Sequence, residues 1–146
     1  RPGVAATVEG PGASMITEFV ARFEAHRLEL ANKFRTTPPK TYLDLVTIVV
    51  TAITDETVSA PDPGRIHEID DGAYKGEFIY LIAEKCYFPC NYWYVMVRYG
   101  SCTGCDTLKG IQNDKSEESR VADYMSLALH LVQGITVLPR IRDTWE

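Results

Sequence analysis

The chain has 146 residues, of which 45% are hydrophobic and 24% charged, the composition of one ordinary globular domain with a sizeable core. A formal net charge of −5 and a pI of about 5.2 argue against nucleic acid as a partner, because phosphate binders carry a basic face. No apolar run reaches the length of about eighteen residues that a membrane span needs.

Four cysteines are too few for a disulfide-stapled secreted scaffold, and the N-terminal stretch lacks the basic, apolar, small-residue order of a secretory signal. The expectation is a cytoplasmic, reducing compartment, with no cofactor.

Residues 1–13 combine three Gly and two Pro without apolar periodicity and read as a disordered arm; residues 14–146 read as a single domain. Ser14 is a plausible N-cap for one helix running to about Phe34, with Phe19, Phe23, Leu30 and Phe34 on one face. Pro38-Pro39 ends it. Thr41, with Asp44 three residues on, opens a second helix through Tyr42, Leu45, Val46, Val49, Ala52 and Ile53, although its β-branched content would suit a strand. Asp55 to Gly64 reads as a loop, and Arg65–Asp70 as a short edge strand.

Phe78 to Ala83 is apolar at every position, the pattern of a strand covered on both sides. Lys85–Asn91 is a turn. In the strand that follows, Trp93, Val95, Val97 and Tyr99 point one way and form the core side. Tyr92, Tyr94, Met96 and Arg98 point the other way. They either pack beneath a helix or form a partner surface, since Tyr, Met and Arg are enriched at interface centres. Thr107 to Asn113 starts a helix. Ser116 caps the last one, with Val121, Tyr124, Met125, Ala128, Leu131 and Val132 as its apolar face and Gly134 at its end. Ile135–Leu138 is a short final strand. The fold class is therefore α+β: two N-terminal helices, a small, mainly antiparallel sheet, and a C-terminal helix packed on it.

The cysteines carry the chemistry worth weighing. Cys86, Cys90, Cys102 and Cys105 invite a four-thiolate zinc site. Against it, an extended Tyr92–Tyr99 strand holds the two pairs roughly 26 Å apart, so the expectation is no metal. Cys102-x-x-Cys105 between a strand and a helix could instead hold a thiolate at a helix N-terminus, with Cys102 attacking a disulfide and Cys105 resolving it. A Cys nucleophile with His67 as base is a third reading, and it requires the His67 strand to pair beside the aromatic strand. The plainest reading makes the cysteines small apolar fillers around a Gly-rich turn.

The stretch Tyr99-Gly100-Ser101-Cys102-Thr103-Gly104-Cys105-Asp106-Thr107-Leu108 resembles one found in small uncharacterised phage-encoded proteins, and the helix VADYMSLALHLVQGI is similar too. The resemblance spans Ser14–Leu138 and implies no activity, substrate or catalytic residue. The functional expectation is a non-enzymatic binding or interaction module that meets a protein partner or forms a homodimer through Tyr92, Tyr94, Met96 and Arg98. The alternative is a thiol–disulfide redox protein or switch using Cys102 and Cys105.

Overall fold

The computed structural model describes residues 16–70, 77–98, 107–114 and 116–138. Helix α1 covers 16–25. The single long N-terminal helix expected from the periodicity breaks at His26, whose φ of −104° and ψ of 17° leave the helical region. The His26 N–H is shared between the carbonyls of Arg22 and Phe23, at 3.2 and 3.1 Å, which tightens the last turn of α1. Helix α2 restarts at Arg27–Thr36, with His26 Nδ1 2.6 Å from Glu29 Oε1 in its first turn. Phe19, Phe23, Leu30 and Phe34 all remain buried across the break.

Helix α3, Tyr42–Ile53, begins as the Thr41–Asp44 pattern predicts. Thr41 Oγ1 accepts from the Asp44 N–H at 3.1 Å, and Asp44 Oδ2 accepts from the Lys40 N–H at 3.1 Å. Its β-branched residues are tolerated because most of the helix is buried: Leu45, Val46, Val49, Val50 and Ile53 sit in the core. Thr47 and Thr51 return their hydroxyls to the carbonyls of Leu43 and Thr47.

Four antiparallel strands follow in the order β1-β2-β3-β4: β1 Pro61–Asp70, β2 Glu77–Glu84, β3 Tyr92–Arg98 and β4 Thr136–Val137. β1 starts four residues earlier than the expected edge strand. Pro61 pairs with Glu84, and a bulge separates that pair from Ile66 opposite Ile82. Asp62 Oδ1 accepts from the Gly64 N–H at 2.8 Å inside the bulge. Pro61 and Pro63, which have no N–H to give a ladder, are accommodated because β1 is an edge strand of the described sheet. Helix α4, Thr107–Gln112, and helix α5, Glu117–Gln133, complete the chain before β4. Ser116 Oγ caps α5 by accepting from the Ser119 N–H at 3.2 Å.

All the helices contribute to one core on one side of the sheet. Tyr80, Ile82, Trp93, Val95 and Val97 enter it from the strands, Phe19 and Phe23 from α1, and Tyr124, Ala128 and Val132 from α5. The Phe19 and Trp93 rings meet edge to face at 6.3 Å, and the Phe34 and Tyr124 rings lie tilted to each other at 5.4 Å.

Candidate functional site

Strand alternation places every second residue on the face opposite this core. The register makes that face a grid. His67, Leu81 and Tyr94 lie in one row, and Thr136 extends it on β4. Ile69, Ile79 and Met96 form the next row. Ala83 with Tyr92 closes one end, and Glu77 with Arg98 the other. Arg98 Nε donates to Glu77 Oε2 at 3.0 Å, so the grid ends in an ion pair.

None of Ile69, Ile79, Leu81, Ala83, Tyr92, Tyr94 or Met96 belongs to the core or packs against it. The uninterrupted apolar run of β2 predicts cover on both sides. Among the described residues only one side is covered, and Ile79, Leu81 and Ala83 are left half-buried. Met96 is 46% exposed at the edge of the grid. The four residues expected to form a partner surface, Tyr92, Tyr94, Met96 and Arg98, are thus brought together on one face, with no described helix above them.

His67 sits on the same face, and the strand pairing that the cysteine-nucleophile reading required does not form. The expectation required β1 to pair with β3. Instead β2 lies between them, because consecutive strands joined by short connections pair in sequence order. That leaves His67 two strand spacings, about 9.6 Å, from β3.

Cys86 and Cys90 are free thiols in the β2–β3 loop, the first half-buried and the second exposed. Cys102 and Cys105 lie outside the described residues, as does Tyr99. Tyr92–Arg98 forms one unbroken strand.

The β2–β3 loop holds an arrangement that the sequence pattern did not reveal. Glu84, on the core side of the last β2 position, is only 4% exposed. Its Oε2 accepts from the backbone N–H of Cys90 at 2.7 Å and of Asn91 at 3.3 Å. Its Oε1 accepts from Asn91 Nδ2 at 3.0 Å. From the opposite strand, Arg65 Nη1 donates to the carbonyls of Glu84 and Cys86, at 3.1 and 2.7 Å. A carboxylate that gathers loop N–H groups and a guanidinium that gathers loop carbonyls hold the loop in one conformation. At its tip Tyr87 and Phe88 are 80% and 75% exposed, with rings 4.6 Å apart. The Cys86 N–H donates to Val58 O at 2.8 Å, bringing a third exposed apolar side chain alongside. The available signal was a Tyr-Phe-Pro run in a turn, where large apolar residues have no packing role.

Beside this loop, Arg22 Nη2 pairs with Asp55 Oδ2 at 2.8 Å, and Lys85 Nζ donates to the Asp55 carbonyl. Hydrogen bonds from the Thr57 hydroxyl and N–H, aided by the Arg22 and Lys85 charges, hold the Asp55 carboxyl below its usual range. Across the sheet, burial and a 2.7 Å hydrogen bond donated to Glu68 Oε2 push the Tyr80 hydroxyl well above the usual phenol range. Both groups anchor structure: Asp55 ties α1 to the loops, and Tyr80 ties β2 to β1.

The chain matches no family model, no curated protein and no solved structure.

Proposed function

We propose that the chain is a protein-binding module and that the open sheet face centred on Tyr94, Leu81, Ile79 and Met96 is its contact surface. The observation that carries this reading is the composition of a face that no described helix covers: aliphatic and aromatic residues in the middle, with the Glu77–Arg98 ion pair at its rim. A central apolar cluster with a polar margin is the anatomy of a protein interface. Strand spacings give the grid an area of about 300 Å². That matches the largest apolar patch of an ordinary monomer and is less than half of the ~800 Å² per partner of a stable complex. The contact is accordingly weak and reversible, and a second copy of the chain is the occupant that can be tested without further reagents.

Sedimentation velocity over a concentration series, up to roughly millimolar where such contacts register, tests the reading. Wild-type protein is expected to show a sedimentation coefficient that rises with concentration, and Tyr94→Glu a constant monomer value. A wild type that sediments as a monomer throughout the series removes self-association through this face.

A further inference from the structure

Among the described residues, the edge of β3 is only partly closed by β4. The direction of its main-chain groups follows from two hydrogen bonds. The Glu84 N–H donates to Asn91 O, so Asn91, and with it Trp93, Val95 and Val97, directs its peptide groups toward β2. The Leu138 N–H donates to Tyr92 O, so Tyr92, Tyr94, Met96 and Arg98 direct theirs toward β4. β4 pairs only with Trp93 and Tyr94. Among the described residues, no strand continues the ladder past Met96 and Arg98.

Beside this open stretch lies a groove of about 350 Å³ between β3 and the last turns of α5. Its apolar wall is made by Val97, Leu127, Leu131 and Tyr42, while Met96, Arg98 and His130 stand around it. The volume falls at the lower end of the range that holds a ligand, about 300–1,000 Å³. Arg98 is 80% exposed, although it touches Glu77, and His130 is exposed as well. The rim therefore offers hydrogen-bond donors, with the Arg98 charge already shared with Glu77.

We propose that this edge binds an extended peptide segment of a partner protein, which adds to the sheet in line with β4. The peptide's main chain pairs with the peptide groups of Met96 and Arg98, an apolar side chain enters the groove against Val97, Leu127 and Leu131, and an acidic side chain faces Arg98. β4 itself shows that the edge accepts a strand, because its two residues already pair there in antiparallel fashion. Strand addition to an exposed edge is a general recognition mode in which main-chain bonds give affinity and alternate side-chain pockets give specificity. With only two outward-facing residues available, affinity is low and on-off exchange is fast. The charge preference is a modest one, since an opposite-charge cross-strand pair contributes about 0.2–1 kcal/mol, which is roughly a 1.5- to 5-fold change in affinity.

The test uses isotope-labelled full-length protein, at a concentration where it is monomeric, so its outcome is independent of self-association through the face. Its amide spectrum is titrated to about 1 mM, the weak end of measurable affinity, with three capped hexapeptides. The first alternates valine and threonine around one aspartate. The second has lysine in place of the aspartate, and the third is the first with alternate amides N-methylated. The acidic peptide is expected to shift the amides of Met96, Arg98, Leu127, His130 and Leu131. The lysine peptide should bind a few-fold more weakly, and the N-methylated peptide should leave these amides unmoved. Met96→Pro removes one outward donor at an edge position where proline is tolerated. It should keep a dispersed spectrum and lose the acidic peptide. Equal shifts from the N-methylated peptide, retained binding by a folded Met96→Pro variant, or no movement of these five amides with any peptide would each overturn the proposal. If Met96→Pro does not fold, the comparison of methylated and unmethylated peptide on wild type decides.

Discussion

Trp93 and Tyr94 are adjacent in the chain and lie on opposite faces of the same strand. Trp93 is buried against Phe19 and pairs across the ladder with Ile82. Tyr94 is half-buried beside Leu81, on the face that no described helix covers. Both faces carry apolar residues, and the pattern of β3 separates them without showing what covers each. The helices decide it: α1, α3 and α5 carry apolar stripes and pack on one side. No described helix packs on the other side, where Ile79, Leu81, Tyr92 and Tyr94 are half-buried.

The largest expected effect comes from breaking this asymmetry on the covered side. Trp93→Ala should lower unfolding free energy by about 3–5 kcal/mol, the usual cost of emptying a buried aromatic site, whereas Tyr94→Ala should cost under about 1.5 kcal/mol, as expected away from the core. Urea denaturation of the two variants checks the pair, and equal losses would mean that both faces are packed.

Next in size is the one carboxylate among the described residues that lies buried on the covered side. Glu84→Ala leaves the N–H groups of Cys90 and Asn91 without their acceptor. It should cost about 1–3 kcal/mol, the penalty for orphaned buried donors. Glu84→Gln keeps an acceptor and should cost less. Hydrogen exchange at Cys90 and Asn91 should rise sharply in the alanine variant and little in the glutamine one.

The smallest effect is one of pH. Asp55 has a carboxyl pKa lowered from 3.8 in the folded chain. Its contribution is therefore present above the unfolded value and is lost as pH falls through the lower folded value. Asp55→Asn should be slightly less stable than wild type at neutral pH. The difference should close below about pH 4, where the unfolded aspartate takes up its proton. Thermal melts at several pH values would show this, and a gap that persists in acid would contradict it.

Much of the fold was legible because it depends on local periodicity. The period-two pattern of β3 separates Trp93, Val95 and Val97 from Tyr92, Tyr94, Met96 and Arg98, as the structure does. The caps at Thr41 and Ser116 mark helix starts through bonds that span three residues. The break at His26 was hidden because Phe23 and Leu30 are two turns apart, a spacing that a kinked and an unkinked helix satisfy equally. That no described helix covers Ile79, Leu81 and Ala83 was hidden because Phe78–Ala83 would look the same beneath a second layer. The Glu84 clamp depends on loop N–H groups six and seven residues away folding back to a strand end, and nothing in the local pattern specifies that return.

The outer edge of β1 bears on how copies of the chain can join. Pro61 and Pro63 interrupt its donors, the bulge before Ile66 breaks its pairing geometry, and Glu68 and Asp70 add charge to its exposed end. These are the devices by which natural sheets blunt an edge. Among the described residues the other edge, on β3, is unpaired past Tyr94, and head-to-tail stacking would need two unlike edges that accept each other. A blunted β1 is a poor acceptor for the β3 edge of another copy. The same prolines that make the start of β1 look like a loop thus work against open-ended growth along the sheet.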